Sequence, residues 1–261
     1  MDKLVVKALD KIYPGTKKRE ATVALKNIDL TIKEKEFAVI VGPSGCGKST
    51  LLNIIGGLDH ASEGLVLVDG NEVREPGMDR GFVFQGYSLF PWLTVQKNVE
   101  FGLKNQGIPK EKRREIARKY IDVVNLSGFE NALPKELSGG MKQRCAIART
   151  LATSPAMLLM DEPFAALDAQ TRVIMQELTA DVARKTGMTV LFITHDIDEA
   201  IILADRIYVM SRRPGKIIEA ISVKYDGKRN HDMLMQDEFI KMKQKIMGML
   251  HQMAEDATMG K

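Results

Sequence analysis

Long apolar runs are missing from these 261 residues. The stretches FAVIVG and AIILAD fall well short of the ~20 residues that a membrane-crossing helix requires. The opening MDKLVVKALDK is broken by charge every few residues, which argues against a signal peptide and for a cytoplasmic chain. Cysteine is scarce. Cys46 and Cys145 are the whole supply, enough for neither a disulfide framework nor a zinc site, and both read as small packing residues in a reducing compartment. Aromatics make up only 6% with a single tryptophan, and the net charge is just +4, so no basic, base-stacking surface for nucleic acid is expected. What is present, 44% hydrophobic and 28% charged residues, suits a soluble globular chain with a sizeable core.

The pattern along the chain is mixed α and β. Residues 1 to 35 read as short strands and turns, with alternation in ATVALKNIDLTI. FAVIV (37–41), AMLLM (156–160) and TVLFIT (189–194) are continuous apolar runs, which fits strands buried on both faces. Residues 64–73 read as a hairpin turning at Asp69-Gly70. Helical periodicity appears in PKEKRREIARKYIDVVNL, from near Ser138, and in AQTRVIMQELTADVARKTG, which Gly187 ends. An α/β core is thus interrupted by a mainly helical insert.

The stretch GPSGCGKST carries the strongest chemistry. Gly42, Gly47, Lys48 and Ser49 complete the phosphate-loop pattern between a strand and a helix, the context it needs. Its glycines let several backbone N–H groups converge on one anion, aided by the positive end of the following helix. Lys48 supplies charge for the β- and γ-phosphates, and the Ser49 hydroxyl can ligate Mg²⁺. MLLMDEP sets Asp161 and Glu162 at a strand end, one acid for the metal and one to polarise an attacking water. His195 follows TVLFIT in the same way, where an imidazole can reach a γ-phosphate or hold the water.

ELSGGMKQR, far from that loop, holds a second candidate anion site. Ser138 suits an N-cap, and Gly139 and Gly140 leave N–H groups unobstructed at a positive helix end. The plainer alternative is an ordinary capped helix.

Together these motifs resemble the ATP-binding cassette family, the nucleotide-hydrolysing subunits of ABC transporters, over roughly residues 3 to 220. LSGGMKQR is similar to the family's signature and MLLMDEP to its Walker B strand. GPSGCGKST is similar to its Walker A loop, implying ATP contacts from Gly42, Pro43, Ser44, Gly45, Cys46, Gly47, Lys48, Ser49 and Thr50. Gln85 resembles the Q-loop glutamine beside the metal, Asp168 the D-loop aspartate and His195 the switch histidine. Tyr13 resembles the aromatic that faces adenine, although a tyrosine before Pro14-Gly15 can simply pack beside a turn. Met141 and Ala165 depart from the commonest pattern without removing a charge.

The resemblance implies a phosphate-loop (RecA-like) α/β ATPase core with an antiparallel β subdomain and an inserted α-helical subdomain. The cassette would span residues 1–225, with the insert at about 86–150 and a helical tail over 226–261. ATP and Mg²⁺ are implied, as is a head-to-tail homodimer in which Ser138, Gly139 and Gly140 of one copy meet the γ-phosphate held by the other. The implied partners are membrane permease subunits and, indirectly, an extracytoplasmic solute-binding protein. The chain would sit peripherally on the cytoplasmic face of the inner membrane. LFPWLTV, FAALDAQTR and SRRPGKI are similar to the nitrate, sulfonate and taurine importer ATPases. STLLNIIGGLD is also similar to lipoprotein-release and macrolide-export cassettes; soluble repair or translation cassettes are a third, less fitting class. SLFPWLTVQKNV is either a permease-binding surface or subdomain core. In the tail, Phe239, Met242, Ile246, Met249, Leu250 and Met253 share a helical face with lysines opposite, suited to packing on the cassette or its dimer mate; a basic amphipathic helix lying on an anionic membrane is the alternative, and AEDATMGK is expected to be unstructured.

Overall fold

In the computed structural model, residues 1–15, 20–225, 227 and 229–258 are described, the last five by backbone alone. The first half of the chain runs β1 (Asp2–Tyr13), β2 (Thr22–Lys33), β3 (Phe37–Val41), α1 (Lys48–Ile55), β4 (Glu63–Val68), β5 (Asn71–Glu72), β6 (Arg80–Val83), α2 (Val95–Asn105) and α3 (Lys110–Val123). It continues with α4 (Gly139–Ala152), β7 (Met157–Asp161), α5 (Ala169–Thr186), β8 (Thr189–Thr194), α6 (Ile197–Leu203), β9 (Arg206–Met210), β10 (Ile217–Ser222) and α7 (Asp237–Thr258). The chain divides into two units, residues 1–77 with 187–261, and residues 78–186.

In the first unit, β1 and β2 are 12 residues each rather than short pieces, paired antiparallel in a sheet of order β2-β1-β4-β5. Shifts in register explain the difference. Ala8 and Asn27 take positive φ, 45° and 48°, so bulges absorb the charged residues that break simple alternation. Leu4, Val6 and Leu9 of β1 and Ile28, Leu30 and Ile32 of β2 stay buried throughout. The β4–β5 turn is the expected Asp69-Gly70, both at positive φ as a tight hairpin turn demands.

The second sheet of this unit orders its strands β10-β9-β3-β8. β3 pairs in parallel with both β8 and β9, while β10 returns antiparallel to β9. Every residue of β3 and β8 is buried, as the apolar runs predict. Helix α6 covers the strands with Ala200, Ile201, Ile202 and Leu203. The predicted tail face packs inward in part, with Met242, Met249, Leu250 and Met253 only half-buried. Phe239 and Ile246 of α7 are fully buried, and the helix lies against α6 and the 3-10 turn His231–Met235. Its backbone stays helical to Thr258, into the segment expected to be unstructured; 259–261 lie outside the described residues.

In the second unit β6 and β7 pair in parallel, and α2, α3 and α4 pack on one another. Where these helices meet, α2 buries Val95, Val99 and Leu103, α3 buries Ala117 and Ile121, and α4 buries Cys145, Ile147 and Leu151. Each large side chain buried this way contributes roughly 1.5–3 kcal/mol. Thr94 caps α2 by accepting from the Lys97 N–H. Burial pushes the Cys145 thiol up to about 12, so it behaves as the inert packing residue expected.

Candidate functional site

The phosphate loop leaves the end of β3 and enters α1 at Lys48. Gly47 caps that helix at φ 111°, and a Cβ there would stand 2.7 Å from Leu25 Cδ2, so only glycine serves both demands. Lys48 is 5% exposed. Its ammonium donates to the Gly42 and Pro43 carbonyls at 2.8 and 3.1 Å, which holds the charge inside the curl of the loop. Ser44, Gly45 and Ser49 are open to solvent, and Thr50 is half-buried. Cys46 is turned under the loop and 1% exposed, and burial raises its thiol pKa.

His195 belongs to the same end of the same sheet. Val41 of β3 is in register with Thr194 of β8, so Gly42 and His195 leave neighbouring parallel strands side by side. The imidazole is exposed. Its backbone is tightly tethered: the Asp196 N–H donates to Thr194 Oγ1 at 3.0 Å, and Asp196 Oδ1 caps α6 by accepting from Asp198 and Glu199 N–H at 2.9 and 3.1 Å.

The SRRPGK turn between β9 and β10, marked from sequence only as a subgroup feature, braces the phosphate loop. Arg213 donates to the Gly45 carbonyl at 3.0 Å. Gly215 donates to the Ala24 carbonyl and accepts from the Lys26 N–H, each at 2.9 Å, tying the turn to β2. No sequence signal announces this role, because a hydrogen bond to a backbone carbonyl constrains only the donor.

In the second unit Asp161 ends β7 and Glu162 follows it, both half-buried. Val83 of β6 is in register with Met160 of β7, so Gln85 and Glu162 leave the same end of a parallel strand pair. Glu162 has φ 41°, a left-handed conformation that a non-glycine residue adopts at a cost. Periodicity cannot reveal such a feature.

Ser138 caps α4 as predicted, accepting from the Met141 N–H at 3.3 Å. The glycines after it have an additional reason. A Cβ on Gly139 would meet Tyr87 Oη at 2.9 Å, and one on Gly140 would meet Thr171 Cγ2 at 2.4 Å. Gly139 is half-buried and Gly140 buried, so these glycines make room for neighbouring side chains. Asp168 caps α5, accepting from the Thr171 N–H at 2.9 Å, and that bond holds its carboxyl below the usual range. Gly140 and Asp168 therefore converge on one residue, Thr171.

Tyr13 ends β1, 41% exposed. Its hydroxyl donates to Asp59 Oδ2 at 2.9 Å, and the Lys11 ammonium lies 4.8 Å from its ring centre. The aromatic stretch after Gln85 divides. Phe90 lies against Phe101, their rings tilted by 40° at 4.3 Å between centroids, with the Arg149 guanidinium over Phe90, whereas Trp92 is 72% exposed. The fully buried Asn98 knots this turn, donating to the Phe90, Leu93 and Thr94 carbonyls and accepting from the Phe90 N–H. Trp92, Leu93, Gln96, Lys97, Phe101 and Arg114 line a cleft of about 530 Å³.

Comparison with known proteins is consistent with this geometry. Residues 25–165 match the family model described as ABC transporter. An uncharacterized ABC transporter ATP-binding protein of Methanocaldococcus jannaschii is 52% identical over 95% of this chain and 91% of its own length. The nitrate import ATP-binding protein NrtD of Synechocystis is 49% identical over 95% of this chain and 94% of its own. A dimeric ATP-binding cassette, solved in a post-hydrolysis state with ADP and Pi, superposes with a TM-score of 0.75 at 37% identity, covering 85% of this chain and 99% of that one.

Proposed function

From the premise that this chain belongs to the ABC transporter family, we propose that it is the ATP-hydrolysing subunit of an importer for a small anionic or organic solute of the nitrate, sulfonate or taurine class. The chain is an ATP-binding cassette of α/β phosphate-loop fold and an ATP hydrolase. The observation that carries the site reading is the side-by-side departure of the phosphate loop and His195 from paired strands.

In this reading the oxygen of a water attacks the γ-phosphorus, and the bond to the β–γ bridging oxygen breaks. Glu162 accepts or orients the water proton, Lys48 holds the β- and γ-phosphates, and His195 contacts the γ-phosphoryl group. Ser49, Asp161 and Gln85 offer only oxygen donors, which suits Mg²⁺. Among the described residues no cluster of three His, Cys, Asp or Glu could hold a metal ion by itself, so the cation would arrive with the nucleotide phosphates. When bound it would neutralise charge between the β- and γ-phosphates.

Two copies then pair head to tail, with Ser138, Gly139 and Gly140 of one reaching the γ-phosphate of the other. Loss of that phosphate removes the ligand bridging the copies, so hydrolysis reopens the pair. The exposed Trp92 and its cleft receive a permease segment. Among the described residues no helix is long and apolar enough to cross a membrane. In this reading the permease holds the chain as a peripheral subunit on the cytoplasmic face of the inner membrane.

The test uses tagged Glu162→Gln protein, held closed with ATP and Mg²⁺ and recovered from detergent-solubilised native membranes for mass spectrometry. A multispanning permease accompanied by a solute-binding protein supports import. A permease with a large extracytoplasmic domain and no binding protein assigns export instead. Recovery of no membrane protein overturns the transport reading.

A further inference from the structure

The C-terminal segment grips α6 at both ends. In the first turn of that helix, Asp198 Oδ2 accepts from Lys243 of α7 at 2.7 Å. At its C-cap, the buried Arg229 donates to the Ala204 carbonyl, and also to Asp205 Oδ1 at 2.8 Å and the Val223 carbonyl at 3.2 Å. Between these grips the 3-10 turn His231–Met235 and α7 pack against α6, burying Met233, Phe239 and Ile246. Asp205 extends the connection: its Oδ2 accepts from the Phe37 N–H at 2.8 Å, at the start of the strand that delivers the phosphate loop.

Helix α6 has seven residues, far too few to define its own position in water, so what packs on it decides where it lies. His195 stands immediately before its N-cap Asp196, with Thr194 of β8 immediately behind. The strand end is fixed by pairing with β3. The backbone of His195 therefore lies between that strand end and the α6 N-terminus, which Lys243 holds through Asp198. The phosphate loop has its own brace in the bond from Arg213 to the Gly45 carbonyl, and Arg229 reaches its strand through Asp205 at Phe37, the end of β3 remote from the loop.

We propose that residues 229–253 are a positioning element for the hydrolytic step, with Lys243 and Arg229 fixing His195 through α6 and taking no part in holding nucleotide. The proposal rests on the reading of His195 as a group that contacts the γ-phosphoryl. What the segment governs is turnover, with affinity left to the loop.

The experiment measures kcat and KM for ATP with Mg²⁺, the Kd of a fluorescent ATP analogue, and Tm, on the full chain. Lys243→Glu sets two carboxylates against each other and is expected to lower kcat about threefold to fivefold, with KM and Kd unchanged. The swap Asp198→Lys with Lys243→Glu is expected to recover most of that loss, which a merely structural role would not produce. Arg229→Met is expected to lower kcat further, together with Tm. Full turnover in Lys243→Glu overturns the proposal. So does a kcat loss that tracks Kd and Tm in all variants without recovery in the swap. His195→Ala separates the two readings. If it is inactive while Lys243→Glu is unaffected, only the positioning role fails; if it turns over normally, the role given to His195 fails and the proposal falls with it.

Discussion

The methyl group of Thr171 occupies the place a side chain on Gly140 would need, 2.4 Å from where its Cβ would stand. Thr171 is β-branched and opens α5, with its N–H bound by Asp168, so it has little room to yield. Gly140→Ala is expected to destabilise by about 1–3 kcal/mol despite alanine's better helix propensity. Gly140→Ala with Thr171→Ala should recover most of that in denaturant titrations. Additive losses would mean that the two positions are independent.

Ser138 is exposed at the N-terminus of α4. Under the proposed head-to-tail pairing, an arginine there would block the phosphate held by the other copy. In mixed dimers, Ser138→Arg on one chain and Lys48→Ala on the other leaves one complete pair of half-sites, so ATPase activity should persist. Both changes on the same chain damage both pairs and should abolish it. Equal activity in the two arrangements refutes pairing across chains.

Arg213 holds the Gly45 carbonyl at the exposed tip of the phosphate loop, above the buried Cys46. Arg213→Ala should weaken ATP binding by about threefold to tenfold, the worth of one partly exposed charged hydrogen bond. It should also speed alkylation of Cys46 in the native protein, with ATP restoring protection. Unaltered alkylation would show that the turn does not brace the loop.

Asp10 is buried, and the Lys26 ammonium at 2.6 Å and the Asn27 N–H at 2.6 Å hold its carboxyl below the usual range. A depressed folded-state pKa contributes stability that is present above the unfolded value near 4 and is lost as pH falls through the folded one. Asp10→Asn should therefore lower Tm at neutral pH and flatten its decline below about pH 4. A variant whose acid limb matches the parent's would exclude this ion pair from acid unfolding.

Much of the site is legible from local pattern. Continuous apolar runs locate β3, β7 and β8 because strands buried on both faces leave no alternation to misread. The Ser138 cap and the Asp69-Gly70 turn are legible because capping and left-handed turns restrict residue type. Bulged strands are not, since Ala8 and Asn27 move the alternation out of phase. Helix α2 carries a legible signal, since Val95, Val99 and Leu103 recur every fourth residue after the Thr94 cap. Short α6 carries too little periodicity to read. The contacts of Thr171 with Gly140 and of Arg213 with Gly45 depend on tertiary placement, which no spacing encodes.

The left-handed backbone of Glu162 has a consequence for judging variants of this chain. Holding a non-glycine residue there costs roughly 1–2 kcal/mol, whereas glycine is at ease there and gives up roughly 0.5–1 kcal/mol through the freedom it adds to the unfolded chain. The loss offsets about half of the relief. Glu162→Gly would therefore melt at or slightly above the parent temperature while lacking the carboxylate at the end of β7. A survey that ranks substitutions by thermal shift would pass it as silent, so innocence at this position has to be established by turnover.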